Sequence, residues 1–297
     1  MSRGRQAGLR AATVWILALV ATALAALSAL AEPSSEGSSR RATRDEAIRS
    51  IPWKRLTETE RQQVQAVVQD ATIYRRLPTR VIDCDPDLFT FLLRHPDVVV
   101  DVWQLMGVSN VTLDRVATDA FRGTDGAGTT GNIRYLCADW GPEAHNRAVI
   151  YADGAYEGKP FTSPRGAQSV LVLQSGAVRK TNGRHYITVR LDSFIRVEQA
   201  GVDLIARTIQ PWINKTADRN LIETLGFVST FSRTAERNPQ GMQRLASRLQ
   251  CVDQPTRDEL VHLCFRTAQR YASNDQPKWS KPYVLAQQVE LPLEARK

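Results

Sequence analysis

A chain of 297 residues with 42% hydrophobic and 24% charged side chains lies in the ordinary globular range, which excludes wholesale disorder and allows one generous domain or two small ones. The formal charge is +8; removing residues 1–31, which carry Arg3, Arg5 and Arg10 and no acid, lowers it to +5. A surplus of that size, with no run of five Lys or Arg, does not call for nucleic acid, though it is compatible with peripheral contact to an anionic membrane.

Residues 1–31 have the three parts of a secretory signal: a basic start (1–10), an apolar run (11–27) and the small-residue site Ala29-Leu30-Ala31 before Glu32-Pro33. The expected location is therefore exported, periplasmic or secreted. The competing reading is an uncleaved anchor, because residues 11–31 are about long enough to cross a bilayer. Four cysteines, Cys84, Cys137, Cys251 and Cys264, then meet an oxidising compartment, where two disulfides are possible in any of three connectivities. Cys251 with Cys264 is the expected pair, since both flank one short connection, and buried free thiols are the alternative. No C-x-x-C spacing points to zinc.

Residues 32–57 read as a linker, rich at first in Ser, Gly, Arg and Glu. An N-terminal helical unit, 58–77, follows: the helix runs over 58–75 with Thr57 as N-cap and Glu60 at capping-box spacing. Pro78 stops it. Residues 79–84 form a short strand, Pro86 opens a helix, His95-Pro96 breaks that helix, and a second helix over 97–106 ends at Gly107. Six more strands are expected at 111–122, 132–140, 146–156, 168–180, 184–198 and 202–210, where β-branched and aromatic residues alternate with Gly, Asn, Asp and Pro. Hairpins fall at 123–131, 181–183 and 199–201, with Asn182-Gly183 the strongest turn signal. A helix over 217–237 carries Leu221, Leu225, Val228 and Ala235 at helical spacing, widened by Ile222 and Phe231. Asn238-Pro239 interrupts it, 240–249 resumes it, and a last helix over 256–271 leads into a tail ending at 297.

The order strand, two helices, six strands, long helix over about 78–250 resembles the helix-grip fold of the START-related, polyketide-cyclase-like (SRPBCC) superfamily. The stretch Arg80-Val81-Ile82-Asp83-Cys84-Asp85-Pro86-Asp87-Leu88-Phe89 is similar to that family's first strand leading into a helix that begins near a proline. The resemblance implies an α+β fold, with a curved seven-stranded antiparallel sheet wrapped around a long C-terminal helix and enclosing an apolar cavity. Residues 251–297 would then be a C-terminal helix and tail outside the family's core.

Local motifs carry little chemistry. Residues 126–131 satisfy the dinucleotide glycine spacing, but a strand rather than a helix follows, so a hairpin loop is expected. Asp83, Asp85 and Asp87 have calcium-loop spacing, yet the sixth position is Leu88 and the twelfth Arg94, so capping and turn formation explain them better. Among the histidines, His95 reads as a helix-end residue, His145 as a turn residue, and His262 belongs to no metal or nucleophile pattern.

His185 and Ser193 share a strand face with Ile187, Val189, Leu191, Ile195 and Val197, while Thr188, Arg190, Asp192 and Arg196 read as a solvated outer face. Tyr135 and Tyr151 share faces with Ile133 and Val149, which allows their rings to line the same interior. The leading expectation is a non-enzymatic exported protein that shelters a lipid or other apolar small molecule between His185, Ser193, Tyr135 and Tyr151 on the sheet and Leu221, Leu225, Val228 and Phe231 on the helix. The plain alternatives are an ordinary core for Tyr135 and Tyr151, the solvent-exposed start of its strand for His185, and satisfaction by local structure for Ser193. The functional alternatives are a cyclase- or hydratase-type enzyme using His185 or Tyr151, and a structural module of the cell envelope whose C-terminal extension docks a partner. No cofactor or metal is expected.

Overall fold

The computed structural model describes residues 36–157, 164–197 and 202–272. Seven α-helices and eight strands lie among them: α1 (Arg41–Ser50), α2 (Glu58–Gln69), β1 (Ile73–Arg76), β2 (Arg80–Asp83), α3 (Pro86–Arg94), α4 (Pro96–Leu105), β3 (Thr112–Ala117), β4 (Ala120–Thr124), β5 (Thr129–Trp140), β6 (Asn146–Tyr156), β7 (Arg165–Arg179), β8 (His185–Val197), α5 (Val202–Arg237), α6 (Pro239–Ala246) and α7 (Gln254–Ala272).

Helix starts follow local chemistry. Thr57 Oγ1 accepts from Glu60 N at 3.3 Å and Thr57 N donates to Glu60 Oε2 at 2.9 Å, closing the capping box at the head of α2. Asp85 Oδ1 accepts from the backbone N–H groups of Asp87 (3.0 Å) and Leu88 (3.1 Å), with Pro86 next in line, so the first turn of α3 has partners for donors that no helix can satisfy internally. At the far end of α2, Arg44 Nη2 donates to the carbonyls of Val68 (2.6 Å) and Gln69 (3.0 Å). That contact explains why part of the expected linker is the helix α1, since its Arg44 is the cap of its neighbour.

All strand pairs are antiparallel, in the order β1-β8-β7-β6-β5-β4-β3, and β2 also pairs β8. β1 and β2 lie end to end along the outer edge of β8: Ile73–Arg76 faces the far half of that strand and Arg80–Asp83 the near half. Leu77 N donates to Leu191 O at 2.9 Å between them. The helix-grip expectation is overturned here. The sheet has eight strands rather than seven, and it is neither curved nor closed as that fold requires, with β3 at one edge and β1 and β2 at the other.

Three local readings fail with it. The expected helix over 58–75 ends at Gln69, because Ile73 and Tyr74 take up sheet pairing with Ile195 and Phe194. The expected strand over 202–210 is instead the beginning of the 36-residue α5. Short apolar runs do not distinguish the two periods, and Pro211 sits inside α5, where a proline costs one intrahelical bond without ending the helix. The expected strand over 111–122 is two strands, β3 and β4, joined by a tight turn. The hairpin expected at 199–201 lies outside the described residues.

The sheet has a core on each face. On one, Ile187, Val189, Leu191 and Phe121 join Leu88, Phe91, Val102 and Trp103 of α3 and α4 and the inner side of α5, α6 and α7. On the other, Val149, Tyr151, Val170, Val172 and Phe194 pack beneath Ala47, Val64, Val67 and Val68 of α1 and α2. The second core corrects the reading of β8's outer face as solvated. Asp192 and Phe194 are fully buried there, and Asp192 accepts from Tyr74 Oη (2.7 Å), Arg76 Nε (2.8 Å) and Arg190 Nε (3.1 Å).

Candidate functional site

The space expected to hold a ligand is occupied by side chains. Leu221, Leu225, Val228 and Phe231 are 8, 6, 6 and 5% exposed and belong to the same packed cluster as Ile187, Val189 and Leu191. No cavity lies between them among the described residues, so the lipid-sheltering expectation fails, and with it the cyclase or hydratase alternative on the same fold.

The polar members of the expected site are dispersed. His185 stands at the start of β8, where its Nδ1 lies 2.8 Å from the Tyr271 hydroxyl and its ring meets the Tyr271 ring edge-on. It fastens α7 to the sheet. Ser193 is 1% exposed, and its hydroxyl has no hydrogen-bond partner among the described residues. Tyr151 is buried in the α1–α2 core with the Arg134 guanidinium 5.5 Å from its ring centroid. Tyr135 projects to the other face: Tyr151 is paired with Arg134 and Tyr135 with Ile150, so the two tyrosines do not share an interior.

The expected disulfide is also absent, since all four cysteines are free. Cys264 is buried on the inner side of α7. Cys251 is exposed on the loop before that helix, where the N–H groups of Gln250 and Cys251 donate to Asp101 Oδ2 at 2.8 and 2.7 Å and hold the loop against α4. The helix thus turns one thiol inward while the loop anchors the other at the surface.

The Asp83, Asp85 and Asp87 series is a set of arginine receptors. Asp83 accepts from Arg184 Nε (2.8 Å) and Arg233 Nη2 (3.0 Å), Asp85 from Arg270 Nη1 (2.6 Å), and Asp87 from Arg266 and Arg270 (both 2.7 Å). These pairs lock α5 and α7 onto the β2–α3 turn. The glycine-rich loop is the β4–β5 hairpin, with Gly126 and Gly128 at positive φ and Asp125 Oδ1 accepting from Ala127 and Thr129 N–H.

Tyr135 does line a recess. An open cleft of about 540 Å³ lies between α3, the β3–β4 turn, β5 and α7; Arg94, His95, Tyr135, Trp140, Glu259 and Arg266 are among its walls. Tyr135 Oη donates to Leu93 O at 2.6 Å, and its ring meets Phe121 and Trp140 edge-on. Burial pushes its hydroxyl pKa up, so it stays a neutral donor.

Arg115 organises the other wall. Its Nε and Nη2 form a bidentate pair with Asp97 at 3.0 and 2.9 Å, and Nη2 also reaches Arg94 O (2.9 Å) and His95 Nδ1 (3.1 Å).

A guanidinium has no acceptor, so Nδ1 of His95 accepts and the ring proton of the neutral form sits on Nε2. Burial first, and the Arg115 charge second, lower the His95 pKa and favour that neutral form. Nε2 is buried and has no hydrogen-bond partner among the described residues, while Glu259 Oε2 stands 4.0 Å away. An unsatisfied buried donor costs about 1–3 kcal/mol. The ring is held in place by stacking on Phe91, centroids 4.5 Å apart. The cleft therefore has aromatic walls and side chains of both charges, and the His95 ring with its buried, unpartnered N–H belongs to its lining.

Sequence reasoning placed Tyr135 in a candidate site but gave His95 no role beyond ending a helix. Arg115 and Glu259 were not singled out, because 144 positions separate them and no local pattern joins a strand residue to one on the last helix. A family-model scan finds no match to this chain, and no curated protein matches it either. Among the described residues, no helix is long and apolar enough to cross a membrane, and no cluster of His, Cys, Asp and Glu could hold a metal ion.

Proposed function

We propose that this is an exported, non-enzymatic binding domain that captures a small water-soluble ligand in the α3–β5–α7 cleft. The observation that carries the reading is the His95 Nε2–H, fixed by Arg115 and Phe91 and without an acceptor at the wall of an open recess. Pockets that orient ligands do so with a few well-placed polar groups against apolar walls, as His95, Tyr135 and Trp140 are arranged here. Export is supported by the basic start, apolar run and small-residue site of residues 1–31. The test is an NMR screen of isotope-labelled protein, residues 32–297, against pooled amino acids, dicarboxylates and monosaccharides. Shifts confined to His95, Tyr135, Trp140 and their neighbours support the reading, and a screen in which no pool moves these resonances refutes it.

A further inference from the structure

We infer that the cleft recognises the carboxylate and the ammonium of a small zwitterion, in the manner of an apolar α-amino acid, by exchanging them for the Arg94–Glu259 ion pair. The inference rests on the cleft reading above and adds the ligand's chemistry. Two donors converge on the two oxygens of Glu259 without closing on either: Arg94 Nη1 stands 3.6 Å from Oε1 and His95 Nε2 4.0 Å from Oε2. Charge-assisted hydrogen bonds are formed at about 2.7–2.9 Å, so both gaps are too long. The Arg94 and Glu259 side chains are 46 and 43% exposed, which makes their attraction weak and screened.

Once the half-exposed Glu259 side chain swings aside, a ligand carboxylate takes its place and satisfies the Arg94 guanidinium and the stranded His95 N–H together. It also leaves the Glu259 carboxylate facing the incoming ligand. A ligand that is only an anion would then put two like charges side by side, and one that is only a cation would meet Arg94 with nothing for His95 to donate to. A molecule with both charges a few bonds apart meets neither penalty. Tyr135, Trp140 and Leu263 line the same cleft, so the rest of the ligand is best apolar.

The experiment is calorimetric and NMR titration of the exported chain with L-leucine, L-methionine and L-phenylalanine, and with two leucine analogues. Leucinamide lacks the carboxylate, and 4-methylpentanoate lacks the ammonium. At least one amino acid is expected to bind with shifts at His95 and Trp140, and each leucine analogue more weakly than leucine by about tenfold or more. Arg94→Gln is expected to weaken the amino acid by about tenfold while leucinamide, relieved of a like charge, binds no more weakly than before, and Glu259→Gln is expected to do the same with respect to 4-methylpentanoate. Both positions are half exposed, and an unchanged melting temperature confirms that each variant folds. The inference is overturned if no amino acid binds, if the analogues match leucine, or if both variants bind as the wild type does. A monosaccharide or dicarboxylate bound in the cleft with no amino acid binding overturns the zwitterion alone; silence from every pool overturns the cleft reading as well.

Discussion

Replacing Asp192 by Asn tests the account of the second core. The carboxylate side chain is 1% exposed and lies between Arg76 and Arg190, whose side chains are 13 and 23% exposed. It also accepts the Tyr74 hydroxyl proton at 2.7 Å. Asn has nearly the same shape, but it removes the charge and turns an NH2 group toward guanidinium donors. Breaking a buried ion pair by removing one partner costs about 3–5 kcal/mol. Glu46 still binds Arg76 Nη1 at 2.8 Å and Arg190 Nη1 at 2.7 Å, so neither guanidinium is stranded, and the expected loss is about 3 kcal/mol, at the lower end of that range. For a domain of this size each kcal/mol moves the melting temperature by about 2–4 °C, giving a fall of about 6–12 °C. Urea unfolding followed by circular dichroism should show a lower midpoint with an unchanged m-value. Tyr74→Phe should lose less, and the double variant less than the sum of the two, because both act on one network. A loss below about 1 kcal/mol for Asp192→Asn, the size of a surface ion pair, would refute the assignment of this cluster to the core.

Acid should weaken the fold before the carboxylates titrate. His95 faces Arg94, Arg115, Asp97 and Glu259, and His185 faces Arg270, Asp85, Arg179 and Glu143; burial is the largest cause in lowering both pKa values from 6.5. The unfolded chain therefore binds more protons, so stability is complete above the unfolded value and falls as pH drops through it. The urea midpoint should be lower at about pH 5.5 than at about pH 8, with a shallower dependence in His185→Gln; a flat or inverted profile contradicts the assignment. Thiol titration provides the other check. Native protein should react rapidly at Cys251 alone, while Cys84, Cys137 and Cys264 are buried and burial pushes the Cys264 thiol up to about 12. Unfolding without reductant should release all four, and a recovery of two would restore a disulfide.

Much of the local structure was legible because its cause is local. The Thr57/Glu60 capping box, the Asp85-Pro86 helix start and the Asn182-Gly183 turn all formed where their residues indicated; Gly183 has φ +79°, and Asn182 Oδ1 accepts from Arg184 N at 3.0 Å. Tyr135 was identified as a lining residue, but for a different recess. What failed were choices between alternatives of similar local energy. The apolar stretch after Gly201 fits either period, and it joins α5. Ile73 and Tyr74 continue a helical stripe as readily as they start a strand, and the open edge of β8 takes them.

The sequence by itself determined caps, turns, most of the strands and the apolar faces of the helices, because each depends on residues a few positions apart. It also holds a feature that argues against a solvated outer face: Phe194 lies on the β8 face with Arg190 and Asp192, and a large aromatic there is a reason for that face to be covered. Only the tertiary structure decided that α1 and α2 cover it, turning Asp192 from a surface charge into the centre of a buried network. Only the tertiary structure brought Arg94 and His95 to Glu259 and left the donors short of closing on it. Such contacts form between segments far apart in the chain, and their geometry follows from how whole layers pack.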